Sequence, residues 1–288
     1  MNASIASNNP VYRRRRQINR IMLGLSALAI GFGLLWLTWI VVVLLSKGLG
    51  ALVQVSFYTE MTPPPPGPGG GLLNAIAGSV MMTGVATLIG TPIGILAGTY
   101  LAEYGTRGWL APATRFINDV LLSTPSILIG LFVWTVYVTQ VRHFSGWAGA
   151  FALSLIVIPI VVRTTDDMLK LVPNSLREAA VALGCPQWKM IMFVSYRAAR
   201  SGILTGLLLA IARISGETAP LLFTAFNNAF WSTDMNQPIA SLPATIANLA
   251  ISPWQDLHPL AWGGAALITL LVLGINIFAR SMFSKRNG

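Results

Sequence analysis

Charge is what this sequence has least of. Only 10% of its 288 residues are Asp, Glu, Lys or Arg, while 54% are hydrophobic and mean hydropathy is +0.67. Soluble domains carry roughly a quarter charged residues, so that class is excluded and a polytopic membrane protein is implied. Acidic residues are scarcer still, nine against nineteen Lys and Arg. Cysteine occurs once, at Cys185, which excludes an internal disulfide and, with no Cys or His nearby, a convincing metal site. The only histidines, His143 and His258, stand alone, so no Ser/His/Asp or Cys/His set can be assembled and neither a catalytic role nor a cofactor is expected. No GxxxxGK[ST] run occurs, so the chain does not cradle ATP in the P-loop manner and such energy must enter from another polypeptide.

The apolar runs that fill the sequence imply an all-α fold with six transmembrane helices. Residues 1–20 are polar and end in Arg13, Arg14, Arg15, Arg16 and Arg20. The run that follows, 21–45, is too long for a signal-peptide core of about 7–15 residues and reads as a first span that stays as an uncleaved anchor. Residues 46–71 contain TPPPPGPGGG, where proline stiffens the chain and glycine then frees it; they read as a linker outside the membrane. Residues 72–283 form a core of five further spans: 72–101, 120–141, 147–162, 201–224 and 259–282. Gly90, Gly94 and Gly98 recur every four residues in the second, a smooth stripe suited to ordinary helix packing. Pro125 and Pro159 lie inside the third and fourth, where neighbouring helices can satisfy the freed carbonyls.

Six spans put both termini on one side. With the N terminus and the 284–288 tail cytoplasmic, Lys47 and Arg142 fall outside and Arg213 within the bilayer, leaving sixteen of the nineteen basic residues inside. That asymmetry follows the positive-inside rule, so the net charge of +10 does not require nucleic acid.

Two stretches carry the chemistry. The first lies in the longest cytoplasmic loop, about 163–200. Ser175 can cap a helix, Glu178 three residues on can complete a capping box, and Gly184 suits the left-handed residue that ends it. Pro186 then fits the first turn of another helix. An isolated helix under about 12 residues is marginal in water and needs a surface to pack on. Ala179, Ala180 and Ala182 keep it slim, and Leu176, Val181 and Leu183 offer apolar contacts, a pattern that fits a groove on a partner. The loop could equally fold back on its own membrane domain, and these residues leave both open.

The second stretch is the fifth span, with Arg213 about twelve residues from either end and so roughly 18 Å from each interface. Facing lipid is costly for arginine at that depth. Glu217, four residues on, shares its face. The pair could serve only to hold helices together. It could instead present a planar donor set to an oxyanion, with Glu217 keeping binding weak enough to release. Thr218 adds a hydroxyl beside it, and Gly216 and Pro220 could loosen the helix there, although packing could equally absorb both.

Glu178, Ala179 and Ala180, with Gly184 four residues later, resemble the EAA signature of ABC-importer permeases. TYLAEYG (99–105), STPSILIGLFVW (123–134), RTTDDMLKLVPNSLREAAVALG (163–184), LLLAIARISGETAPLLFTA (207–225) and ASLPATIANLA (240–250) together resemble one branch, the PstA-type permease subunits of phosphate importers. The resemblance implies an inner-membrane subunit that pairs with a second homologous permease, two cytoplasmic ATP-binding subunits and a periplasmic phosphate-binding protein. It also implies that Ser175, Glu178, Ala179, Ala180 and Gly184 couple to the ATPase and that Arg213, Glu217 and Thr218 line the substrate path. One departure stands out: an Ile-x-Leu-Pro step common in the family is Val194, Ser195, Tyr196 and Arg197 here, which leaves the geometry after the second short helix open. Rival readings are a permease for sulfate or molybdate, a gradient-driven secondary transporter, and a membrane enzyme.

Overall fold

The computed structural model describes residues 10–64, 69–105 and 108–284, apart from the side chains of residues 280 and 282–284. Among them every regular element is helical, as expected: α1 Pro10–Leu52, α2 Ser56–Thr59, α3 Leu73–Thr99, α4 Leu110–Ser123, α5 Ser126–Val133, α6 Gly146–Lys170, α7 Asn174–Ala182, α8 Gln187–Met190, α9 Tyr196–Ile214, α10 Ala219–Thr224, α11 Leu242–Ala250 and α12 His258–Ser284. Wider π turns extend α3 over Tyr100–Tyr104 and α5 over Trp134–Val138, and join α8 to α9 over Ile191–Ser195.

Contacts divide the chain after Lys47 into two units. The first is helical and continuous from Pro10, so the basic cluster expected to precede a span is part of its helix. At 1.5 Å per residue the whole of α1 is about 64 Å long, twice the hydrocarbon thickness of a bilayer. Leu23, Leu34, Trp36 and Trp39 are exposed along it, as suits a surface meant for lipid or another chain.

The second unit is built around α6. A core of Met82 and Ala86 from α3, Ile129 from α5, Leu153, Ile156, Val157 and Val161 from α6, Ala210 and Ile214 from α9, and Leu221 from α10 surrounds it. The first amides of α6, which have no partner within the helix, are met by the Ser145 side chain, which accepts from Ala148, and by the 225–241 loop, whose Gln237 and Met235 carbonyls accept from Gly146 and Trp147. The glycine stripe does what its spacing suggests. A Cβ on Gly90, Gly94 or Gly98 would come within 2.9, 2.6 and 2.7 Å of Val157, Val161 and Thr165 on α6. Gly94→Ala should therefore lower the melting temperature of the purified protein, since overpacking typically costs about 1–3 kcal/mol. Gly84, on the same helix with nothing within 4 Å, should respond oppositely, Gly84→Ala gaining up to about 1 kcal/mol of helix propensity. Equal melting shifts in the two variants would contradict this packing.

The spans differ from expectation in three places. Among the described residues four helices are long and apolar enough to cross a membrane, and a fifth only if α4 and α5 count as one, so six spans are not reproduced by length and apolarity. The third does not run from 120 to 141. Its chain bends by 106° between Ser123 and Ser126, because Pro125 has no N–H to continue the ladder and its ring disfavours the helical conformation at Thr124, which is extended (ψ 129°). The fifth does not begin at 201, and it is interrupted before it ends at Thr224. It runs without a gap from Gln187 through the π turn to Ile214, stops, and resumes as α10. α9 carries Arg197, Arg200 and Arg213, which is why composition alone does not mark it as a span. The expected linker is also partly structured: α1 continues to Leu52, and Phe57 of α2 is buried beside Leu72 and Ala75.

Candidate functional site

Two places along one continuous stretch, 174–220, hold the residues singled out in the sequence. The first is a helix–turn–helix at the end of α6. Pro173, with φ −59° and ψ 138°, stands at the N-cap of α7. Ser175 is therefore inside the first turn and caps nothing, and the expected capping box with Glu178 does not form. Pro173 sets the turn two residues earlier, and the amide of Leu176 donates to its carbonyl at 3.2 Å. Gly184 is left-handed, at φ +76°. The Cys185 amide donates to the Ala180 carbonyl at 3.1 Å and the Gly184 amide to that of Val181 at 2.9 Å, the paired bonds of a Schellman ending. Pro186 stands just before α8 rather than in its first turn, its carbonyl accepting from Met190.

No residue of α7 is buried. Ser175, Glu178 and Ala179 are exposed, Ala180 half-buried, and Leu176, Val181, Leu183 and Trp188 are exposed hydrophobics. Among the described residues Glu178 has no hydrogen-bond or ion-pair partner. The apolar face of the loop is thus not folded onto its own spans, and an exposed apolar patch of this kind marks an interaction surface. What fixes the loop is Arg177, which the sequence did not single out. Its Nη2 donates to Glu103 Oε1 at 2.9 Å and to the Leu169 carbonyl at 2.7 Å. Its Nη1 donates to the Val172 carbonyl at 2.7 Å and to Asn174 Oδ1 at 3.1 Å. Glu103 and Arg177 lie 74 residues apart in sequence, so no local pattern links them.

The Ile-x-Leu-Pro departure has a plain outcome. Without the proline the helix is not broken after α8, and the π turn continues into α9 with Arg197 lying 5.9 Å from the Phe193 ring centroid. Tyr196 is hydrogen-bonded to Thr99 of α3 at 2.7 Å.

The second place is the break between α9 and α10. Arg213 is in the last turn of α9, not at the centre of an unbroken helix. The break nevertheless lies inside the bundle, since Ile214 packs with Met82, Ala86 and Val157. Gly216 and Pro220 account for the interruption: Gly216 weakens the helix, and Pro220 lacks an N–H and takes the first turn of α10. Arg213 Nε is 3.7 Å from Glu217 Oε1, with 53% of the arginine side chain and 15% of the glutamate accessible. That is an ion pair without a hydrogen bond. The arginine also faces the negative end of α9, which favours its charge. Thr218 is the N-cap of α10 without a capping bond from its side chain. Opposite, a Cβ on Gly130 of α5 would come within 2.6 Å of Pro220 Cα, so the two interrupted helices meet closely. Discontinuous helices that leave a charge at mid-bundle are a recurring way to build a transport site.

A groove of about 430 Å³ beside α9 is lined by Ser79, Thr83 and Thr87 of α3, Ile211 and Ser215, and α12 residues such as Leu271. Ser215 and Thr87 donate to carbonyls of their own helices, and Ser79 Oγ accepts from the Leu242 amide. The groove is lined mainly by apolar side chains and holds no charged residue.

Residues 90–285 match the family described as binding-protein-dependent transport system inner membrane component. A phosphate transport system permease protein PstA of Pasteurella multocida is 61% identical over 280 residues, covering 97% of this chain and 99% of the relative. A protein of the same name from Mycobacterium leprae is 34% identical over 273 residues, covering 93% and 90%. Among solved structures, a bacterial ABC transporter involved in the import of alginate matches with a TM-score of 0.61 at 15% identity, over 96% of this chain and all of the other. An inward-facing MetNI methionine ABC transporter matches with 0.59 at 18% identity, over 74% and 95%. At those identities the structures speak for the fold alone.

Proposed function

Because the chain belongs to the PstA permeases, within the binding-protein-dependent transport system inner membrane components, we propose that it forms one half of an inner-membrane path for inorganic phosphate, driven by ATP hydrolysed on separate subunits. The observation that carries this reading is the interrupted helix: an exposed arginine at mid-bundle, held loosely by Glu217, supports transient binding of an oxyanion. A chain without a P-loop motif and with an unburied EAA helix supports an engine elsewhere. The partners are then a second homologous permease, two cytoplasmic ATP-binding subunits docked on Ser175, Glu178, Ala179, Ala180 and Gly184, and a periplasmic phosphate-binding protein. The basic excess supports cytoplasmic termini and loop.

Glu217 gives the path a means of choosing among oxyanions. Phosphate near neutral pH keeps a proton that a carboxylate can accept, whereas sulfate has none and meets only repulsion. Cells whose only phosphate system contains this chain should take up radiolabelled phosphate, and a hundredfold excess of sulfate, about the ratio that a 2.7 kcal/mol difference in binding produces, should leave uptake unchanged. Equal uptake of the two anions, or persistence of uptake after ATP depletion, would contradict the proposal.

A further inference from the structure

We propose that Arg177 and Glu103 form the joint through which displacement of the α7 loop reaches the membrane helices α3 and α6. The inference rests on the coupling role assigned to α7 above and names the residues that carry it. α7 buries none of its own side chains, and a helix of nine residues is too short to be stable on propensity alone. Buried side chains therefore cannot transmit a push from its exposed face. Arg177 can. Its guanidinium projects away from that face and reaches a carboxylate and three further oxygens at once.

Those oxygens belong to three structurally distinct places. Glu103 lies in the π turn that ends α3, and its side chain is only 5% accessible. Leu169 lies in the last turn of α6 and Val172 just beyond its end, where the helix dipole is negative and suits a cation; the Leu169 carbonyl accepts from Arg177 as well as from the Val172 amide. Asn174 opens α7 itself. The Glu103 carbonyl additionally accepts from the Gln187 side chain at 3.5 Å, which brings α8 to the same residue. One planar side chain thus ties the loop to two spans that pack against each other along the whole Gly90, Gly94 and Gly98 stripe. Lysine carries the same charge but cannot reproduce the fork. The pair is 18% and 5% accessible, and removing one partner leaves the other charge withdrawn from water, which weakens the attachment rather than merely loosening a surface contact.

As positioning residues, the two touch neither substrate nor nucleotide. The test uses the assembled transporter in proteoliposomes and compares wild type with Arg177→Lys, Arg177→Ala and Glu103→Gln. ATP hydrolysed per radiolabelled phosphate imported is expected to rise severalfold in all three at equal amounts of assembled protein. A pair that only stabilised the fold would lower both activities together and leave the ratio unchanged, and that result would overturn the proposal. Hydrogen exchange over 174–184 gives a second readout: roughly tenfold faster in Glu103→Gln, the equivalent of about 1.4 kcal/mol of local stability, with α6 unaffected above its last turn. Unaltered exchange would equally overturn it. If Arg177→Ala fails to assemble, Arg177→Lys and Glu103→Gln decide the matter. Failure of the wild type to import phosphate would remove the substrate assignment while leaving the exchange measurement to judge the attachment.

Discussion

Gly184→Asp is expected to abolish ATP-driven phosphate uptake while the protein still inserts into the membrane in normal amount. Gly184 stands at φ +76° with nothing within 4 Å of where a Cβ would lie. Any L residue meets backbone strain there but no steric collision. The left-handed conformation costs roughly 1–2 kcal/mol, and Asn and Asp tolerate it better than most. That penalty falls on a short exposed helix ending, far from the core around α6, and is too small to unfold the bundle. The aspartate charge has a larger consequence. It faces the negative end of α7 and sits in the middle of a surface formed by exposed Val181, Leu183 and Trp188, where a partner must desolvate it to dock. Gly184→Asn separates the two effects because it keeps the strain without the charge, and it should retain most of the uptake. Glu178→Lys, which reverses the charge of an exposed carboxylate without disturbing a partner within this chain, should be as damaging as Gly184→Asp. Immunoblots of the membrane fraction beside the uptake measurement check the prediction. Normal uptake in both Gly184→Asp and Glu178→Lys would remove α7 from the coupling path.

How much of this was legible in the sequence depends on the range over which each feature is determined. The Gly184 ending was readable because a Schellman turn is local: glycine, its left-handed φ and the two bonds all fall within six residues. The Gly90, Gly94 and Gly98 stripe was readable because helical periodicity alone aligns it. The helix start was misjudged by the same local logic, since Pro173 competes with Ser175 for the turn and a fixed φ outweighs a side-chain acceptor. The two interruptions, at Thr124–Pro125 and at Ser215–Thr218, are local in cause, but proline inside an apolar run has two outcomes, kink or break. The run itself does not show which one occurs or that the two interrupted helices meet, with Gly130 against Pro220. Arg177 was invisible for a different reason. Its significance lies in Glu103, Leu169 and Val172, brought to it only by the packing of α3 on α6.

The same distinction bears on Arg213, whose replacement by glutamine is expected to lower phosphate uptake about a hundredfold. A charge-assisted hydrogen bond to an oxyanion is worth up to about 3 kcal/mol. Sequence left open whether the Arg213–Glu217 pair binds an anion or merely holds helices, and the geometry makes the two separable. At 3.7 Å, beyond hydrogen-bond distance and with 53% of the arginine side chain accessible, the pair is loosely made. Arg213→Gln leaves Glu217, which is 15% accessible, without its neighbour. If the arginine served only to neutralise that carboxylate, Arg213→Gln combined with Glu217→Gln would remove both charges and restore uptake, as replacing a whole pair is often harmless where breaking it is not. If the arginine meets the transported anion, the double variant stays inactive, while Glu217→Gln alone still transports and admits sulfate as a competitor. Uptake by the four proteins, with and without sulfate, decides between the roles. Recovery in the double variant would return Arg213 to the architecture of the bundle and leave the path for phosphate to be sought elsewhere.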